Sequence, residues 1–175
     1  MKNIYLVGFM GTGKTTVGKL LSQSLNKRFV ETDELIEKRE GKKIVDIFAH
    51  YGEPYFRKVE KEVLRKVANQ SDLVVSCGGG IVIDEENVRL LKTTGVMICL
   101  TADVECIYER TKKYTHRPLL NVDDPIKRIK ELLLKREPFY KKADYFVDTS
   151  PLSCEEVVKK IVEILKDAQI IPNSS

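Results

Sequence analysis

The four cysteines of this 175-residue chain lack the spacing that disulfide frameworks and zinc sites use. Cys77, Cys99, Cys106 and Cys154 form no CxxC pair, and neither histidine stands at metal-ligand spacing from them. We therefore expect reduced thiols, as in cytosolic proteins, and no zinc site.

Long apolar runs are also missing. No run approaches the length that spans a bilayer, and the stretch "NIYLV" near the first residue is short and bounded by glycine, unlike a signal peptide. We expect a cytoplasmic protein with no membrane segment.

A strong charge of either sign is the third absence. The net charge of +4 is mild, and the one local basic cluster is "RTKKYTHR" at 110–117. Proteins that bind DNA, RNA or membranes usually carry a denser basic patch, so we expect no nucleic-acid partner. With no repeats or linkers in 175 residues, one domain over 1–175 is expected.

Short apolar runs alternate with helical patterns along the chain. The five runs are "IYLV", "RFVE", "LVVS", "VMICL" and "YFVD", and amphipathic stretches follow them. This alternation predicts an α/β fold, a five-stranded parallel sheet covered by helices on both faces. Two segments do not fit this alternation of strands and helices, a helix over 53–68 and a loop over 111–124. We expect both to contribute to ligand binding.

The stretch "GFMGTGKTT" follows the first predicted strand and fits the phosphate-loop pattern G-x-x-x-x-G-K-[ST]. Its glycines let backbone N–H groups approach phosphate oxygens, Lys14 brings a positive charge to the β- and γ-phosphates, and the Thr15 hydroxyl can ligate magnesium. A glycine turn with an exposed lysine is the alternative. The flanking strand and helix favour a nucleoside-triphosphate site.

An acidic residue that assists magnesium is expected at the end of another strand. Glu31 and Asp33 follow "RFV", and one of them can reach the metal through water while the other faces a substrate. Asp33 can equally be the N-cap of the next helix.

Two arginines and a glycine run indicate an anionic substrate. The run "CGGG" at 77–80 suggests a backbone that a small molecule touches closely, although a tight turn would also use glycine. Arg136 falls within the apolar face of its helix and needs an anionic partner. Arg57 has Glu60 one turn on to orient it. Together they suggest a carboxylate or phosphate held by forked hydrogen bonds.

The loop "ERTKKYTHRPLL" carries Arg110 and Arg117 among polar residues. It is either an ordinary solvated loop or a lid that closes over ATP and excludes water. An arginine on such a lid can meet charge on the transferred group.

Over nearly its full length the chain resembles the shikimate kinases. The matching pieces are "GFMGTGKTT", "TDELIEKREGKKIVDIF" leading to "GEPYFRKVE", then "CGGG", "RPLL" and "KREPFY". The resemblance implies a three-layer α/β/α fold of the P-loop NTPase type. It also implies transfer of the γ-phosphoryl of ATP to the 3-hydroxyl of shikimate, a step toward chorismate and the aromatic amino acids.

The resemblance also implies that the reaction uses ATP and Mg²⁺. It further implies a shikimate-binding region at about 32–60 and a lid at about 111–124. The implied catalytic residues are Lys14, Asp33 and Arg117, and the implied shikimate-binding residues are Asp33, Arg57, Gly79, Gly80 and Arg136. The implied ATP-binding residues are Gly11, Thr12, Gly13, Lys14, Thr15, Thr16, Arg110 and Arg117, with Thr15 and, through water, Glu31 at magnesium.

Two departures from the family pattern stand out. Glu31 occupies a position where the family usually has aspartate, and its side chain is one methylene longer. The segment "TSPLSCEE" does not reproduce the family's commoner residues on the adenine side, so no adenine contact is assigned there.

Rival functions remain at this point. A gluconate-type sugar-acid kinase and a nucleoside monophosphate kinase share the phosphate loop and an anionic acceptor. A nucleotide-controlled switch is a different class, but the guanine-binding pattern N-K-x-D is missing. With no long apolar stripe left over, we expect a monomer.

Overall fold

The computed structural model describes residues 2–113, 120 and 122–172. It contains five strands, β1 (Asn3–Val7), β2 (Arg28–Glu31), β3 (Leu73–Ser76), β4 (Gly95–Thr101) and β5 (Tyr145–Asp148). The helices described are α1 (Lys14–Ser24), α2 (Thr32–Glu40), α3 (Ile44–Ala68), α4 (Glu85–Thr94), α5 (Val104–Thr111), α6 (Pro125–Tyr140) and α7 (Cys154–Asp167), with a short 3₁₀ turn at Ile81–Ile83.

The strands form one parallel sheet in the order β2-β3-β1-β4-β5. The five strands and their parallel pairing confirm the fold predicted from the apolar runs. Because β1 is central and every one of its residues is buried, helices must cover both faces of the sheet.

Alternate residues of β1 supply two separate cores. Ile4 and Leu6 face the core that contains α1 and α7, whereas Tyr5 and Val7 face the larger core, to which α3 and α6 contribute. The period of two along a strand accounts for this division. The α1 and α7 side acts as scaffold, and the opposite side carries the helices that bear the predicted substrate residues.

Helix α3 is interrupted at Gly52, where φ is +78°. A left-handed backbone of this kind favours glycine, because other residues pay a steric cost there. The second half therefore runs from Glu53 to Ala68, as the sequence predicts, with Pro54 in its first turn.

Parallel strands end at one edge of the sheet, and the loops after β1, β2, β3 and β4 meet there. The predicted lid begins at Thr111, where α5 ends, and stops at Asp124, whose side chain caps α6 by accepting from the Lys127 N–H. Residues 114–119 and 121, which include Arg117, lie outside the described residues.

Candidate active site

The loop between β1 and α1 has the backbone of a phosphate cradle. Gly11 and Gly13 adopt φ values of +77° and +93°, and Gly13 caps α1. A methyl group at Gly11 would also lie 2.7 Å from the Thr111 side chain. Only glycine fits such a turn, and the N–H groups of the first helical turn that it precedes are unsatisfied donors suited to phosphate.

Lys14 lies across this loop. Its Nζ donates to the carbonyl oxygens of Gly8 and Phe9, at 2.9 Å each. Thr12 is buried, and its hydroxyl donates to the Phe9 carbonyl at 2.8 Å, so its side chain braces the loop from within. Thr16, in the first turn of α1, is exposed.

Thr15 and Glu31 meet beside the loop. The Thr15 hydroxyl donates to Glu31 Oε1 at 2.7 Å, although the two residues stand on different elements. A hydroxyl and one carboxylate are oxygen donors of the kind that Mg²⁺ takes when phosphates and water complete its coordination. The described residues include no cluster of three or more His, Cys, Asp or Glu side chains arranged for a metal. The hydroxyl of Thr15 and the carboxylate of Glu31 are oxygen donors that fit a magnesium ion shared with a nucleotide.

Arg110, on α5, joins the phosphate loop to the loop after β5. Its guanidinium donates to the Gly11 carbonyl at 3.2 Å and to the side-chain and main-chain oxygens of Thr149 at 3.0 Å each. The Thr149 hydroxyl in turn bonds to the carbonyls of Thr12 and Thr101, at 3.1 and 3.0 Å. Sequence reasoning missed Thr149, and its place directly after a strand's carboxyl end was the available signal.

Two carboxylates face the glycine run after β3. A methyl group at Gly78 would lie 2.7 Å from Asp33 Oδ1 and 3.2 Å from Glu60 Oε2. Only glycine at this position leaves room for both oxygens. Asp33 lies in the first turn of α2, whose N-cap is Glu31, so the alternative that Asp33 itself caps the helix is wrong.

Arg57, on α3, lies at the end of the glycine run, beside Gly80. Its guanidinium pairs with Glu60 at 2.8 Å and with Glu53 at 3.2 Å, as the helical spacing predicts for Glu60. A methyl group at Gly80 would place its carbon 2.6 Å from Arg57 Nη1, a steric clash. The guanidinium thus lies directly against the Gly80 backbone.

Arg136 approaches the same run from α6. Its guanidinium carbon lies 5.6 Å from the centre of the Phe9 ring. Its Nη1 would be 3.3 Å from a methyl group at Gly79, and the Gly8 carbonyl would be 3.5 Å from that methyl. Arg136 therefore stands between the start of the phosphate loop and the glycine run.

The electrostatics of this cluster centre on Glu60, whose side chain is 1% exposed. Burial raises the pKa of Glu60 to about 7, against the opposing charge and hydrogen bond of Arg57. Asp33 raises this pKa further, and Arg136 lowers it. Burial also raises the pKa of the nearby Cys77 thiol, so Cys77 is no nucleophile at neutral pH.

The structure brings most of the predicted residues to one edge of the sheet. The phosphate loop with Lys14 and Thr15 lies on one side, and Arg57, Arg136 and Asp33 surround the glycine run on the other.

No helix in the described ranges has both the length and the apolar character needed to cross a membrane.

Comparisons with known proteins point to one family. The shikimate kinase family model matches residues 10–166. A shikimate kinase of Thermodesulfovibrio yellowstonii is 50% identical over 163 residues, which cover 93% of this chain and 94% of that protein. One of Pelotomaculum thermopropionicum is 48% identical over 171 residues, covering 98% and 99%. The structure of a shikimate kinase from Acinetobacter baumannii in complex with shikimate matches with a TM-score of 0.92 at 35% identity, covering 98% of this chain and 96% of that chain.

Proposed function

The chain belongs to the shikimate kinase family, and we infer from this membership that it transfers the γ-phosphoryl group of ATP to the 3-hydroxyl of shikimate. The products are shikimate 3-phosphate and ADP, in the pathway to chorismate and the aromatic amino acids. One observation carries the substrate assignment: two guanidinium groups from separate helices lie against adjacent glycines beside a phosphate loop. Such a pair suits a carboxylate.

We propose that the shikimate carboxylate binds between Arg57 and Arg136, with Gly79 and Gly80 forming the wall beneath it. The close packing of Arg57 on Gly80 and of Arg136 on Gly79 supports this arrangement. Arginine offers planar, forked donors to a carboxylate, so the two side chains fix its orientation as well as its charge.

We propose that Asp33 binds the shikimate hydroxyls and orients the one that reacts. Its carboxylate faces the glycine run from the first turn of α2. An aligned alcohol needs little further chemical assistance in phosphoryl transfer, because positioning and charge neutralisation supply most of the rate. Asp33 is also the candidate acceptor of the hydroxyl proton.

ATP is the phosphoryl donor, and we propose that the backbone of 11–16 holds its phosphates. In this proposal, the Lys14 ammonium group moves away from the Gly8 and Phe9 carbonyls and neutralises charge on the transferred phosphoryl group. Arg117, which belongs to the "RPLL" motif of the lid, neutralises charge on the same group. Arg110 flanks the adenine, beside the loop that Thr149 holds in place. Placing positive groups where charge develops lowers the barrier.

Magnesium is proposed as the metal, with Thr15 as a direct ligand and Glu31 holding it through water. The hydrogen bond between these two side chains supports the pairing. When bound, the ion neutralises charge on the β- and γ-phosphates.

At the level of the whole chain we propose one kinase domain over 1–175, acting as a monomer in the cytoplasm. Within it, the region at about 32–60 binds shikimate, and the segment at about 111–124 acts as a lid that excludes water.

An ADP-release assay with purified protein, ATP and Mg²⁺ tests the proposed function. Shikimate, gluconate and AMP are compared as acceptors, and we expect turnover with shikimate alone. Turnover with another acceptor would overturn the pocket assignment while keeping the phosphate loop. No turnover with any acceptor would revive the nucleotide switch.

A further inference from the structure

Tyr140 ends α6, one helical turn after Arg136. Its side chain is buried, with 7% of the residue exposed. The hydroxyl donates a hydrogen bond of 2.7 Å to the carbonyl oxygen of Gly79. The last turn of α6 is therefore fastened to the middle of the glycine run.

The same hydroxyl faces Arg136. A methyl group at Gly79 would lie 3.3 Å from Arg136 Nη1 and 3.8 Å from the Tyr140 oxygen, so both groups lie against one Cα. Burial raises the pKa of Tyr140 to about 12, and the positive charge of Arg136 nearby opposes the rise. A neutral phenol has one proton, and the hydrogen bond to the Gly79 carbonyl uses it, so the Tyr140 oxygen turns only lone pairs toward the positive charge of Arg136.

Gly79 therefore joins the two side chains: the Tyr140 O–H donates to its carbonyl oxygen, and Arg136 Nη1 lies against its Cα. The Phe9 ring lies near the guanidinium as well. Arginine has a long, flexible stem, and fixing it costs conformational entropy whenever it must be ordered by the ligand. A neighbour that orders it beforehand removes that cost from binding.

We propose that Tyr140 is a positioning residue for the carboxylate subsite: its hydrogen bond to Gly79 holds the end of α6, and with it Arg136, against the glycine run, so that the subsite exists before the substrate arrives. The proposal rests on the proposed function, since it deepens the role given there to Arg136. Tyr140 does not touch the reacting atoms, and its effect is confined to recognition of the negatively charged end of the substrate.

The test compares shikimate with its uncharged methyl ester, using calorimetry for affinity and steady-state kinetics for KM and kcat. Tyr140→Phe keeps the ring and loses the hydroxyl. We expect the affinity for shikimate to fall about tenfold, while the affinity for the ester, the KM for ATP and kcat change less than about twofold. An equal loss for both ligands, or no loss for shikimate, would overturn the proposal.

Tyr5→Phe is the matched control. Tyr5 is also a buried tyrosine, and its hydroxyl bonds to Thr94 at 2.8 Å and Asn3 at 3.0 Å, at the opposite edge of the sheet. Both variants lose a buried hydroxyl and both lower Tm, but only Tyr140→Phe is expected to change the preference for shikimate over the ester. The same change in Tyr5→Phe would reduce the role of Tyr140 to general stability and overturn the proposal.

A second variant keeps the proposal testable if Tyr140→Phe does not fold. Tyr140→4-fluorophenylalanine fills nearly the same space, but its fluorine cannot donate a hydrogen bond to the Gly79 carbonyl. We expect it to lose the carboxylate preference as well, and full retention would contradict the proposal. Absence of shikimate turnover in the wild type would refute the proposed function instead, so the two failures are distinguishable.

Discussion

The hydroxyl of Thr15, in the first turn of α1, donates a 2.7 Å hydrogen bond to Oε1 of Glu31, at the end of β2. The resemblance to the family implies an aspartate at this position, one methylene shorter than Glu31. The longer side chain reaches the Thr15 hydroxyl directly, so the proposed metal ligand and its acidic neighbour are already in contact.

Glu31→Gln removes the negative charge beside this hydroxyl. We expect the affinity for Mg²⁺ in the presence of ADP to fall about tenfold, because a charged neighbour of a metal ligand is replaced by a neutral one. Mn²⁺ binding to the ADP complex, followed by electron paramagnetic resonance, measures this without turnover. Glu31→Asp retains the charge and is expected to lose less. Equal losses in both variants would count against a charge effect.

Asp33→Asn keeps the size of the side chain and removes its charge. We expect turnover to fall more than tenfold while ATP binding survives, because Asp33 faces the glycine run rather than the phosphate loop. Glu34→Gln, an exposed change on the same helical turn, is the control. Near-normal turnover in Asp33→Asn would remove Asp33 from the mechanism.

Gly80→Ala introduces a methyl group whose carbon would lie 2.6 Å from Arg57 Nη1. We expect Arg57 to be displaced and the KM for shikimate to rise about tenfold or more, with the KM for ATP unchanged. Gly79→Ala is the graded comparison, because its nearest contact is 3.3 Å from Arg136 Nη1. If both variants shift the KM for shikimate equally, the contact with Arg57 does not explain the effect.

Thr149→Val replaces the hydroxyl that links Arg110 to the carbonyls of Thr12 and Thr101. We expect the KM for ATP to rise about fivefold or more while the KM for shikimate stays constant, since the lost bonds lie on the nucleotide side. Thr149→Ser retains the hydroxyl and is expected to behave like the wild type. A parallel rise in both KM values would point to general loosening instead.

Glu60 makes the stability of the protein depend on pH. Its folded pKa is raised from 4.5 to about 7, chiefly by burial, with Arg57, Asp33 and Arg136 as the charged groups that face it. A raised folded pKa gives a stabilising contribution that is complete below the unfolded value and is lost as pH rises toward 7. In Glu60→Gln this loss, at most about 3 kcal/mol, is absent.

Urea unfolding of the wild type and Glu60→Gln between pH 4.5 and pH 8 measures this difference. The free energy of unfolding of the wild type is expected to fall relative to that of the variant across the interval. Parallel curves for the two proteins would show that Glu60 titrates as an ordinary carboxylate.

The sequence predicted the elements because local pattern determines them. Runs such as "IYLV" and "LVV" are apolar, as central parallel strands must be, and Pro54 marked the first turn of the helix predicted over 53–68. The phosphate loop and the pairing of Arg57 with Glu60 depend on spacings of a few residues, which sequence shows directly.

Hydrogen bonds between residues far apart in the sequence were harder to predict. Nothing local indicates that Tyr140 bonds to Gly79 or that Thr149 bonds to Thr12, because each pair is brought together only by the order of strands in the sheet. Whether Asp33 caps α2 was undecided for a similar reason, since capping depends on where the preceding strand stops. The structure starts the helix at Thr32, with Glu31 as the N-cap.

The two glutamate partners of Arg57 differ in their surroundings. Glu60 is buried, at 1% exposure, whereas the side chain of Glu53 is 60% exposed. Water can readily solvate a displaced Glu53, so its ion pair with Arg57 is weak, while Glu60 stays in place. We therefore expect a carboxylate that enters the site to displace Glu53, the exposed partner, from Arg57. The same exchange in reverse would return Glu53 to Arg57 as the product leaves.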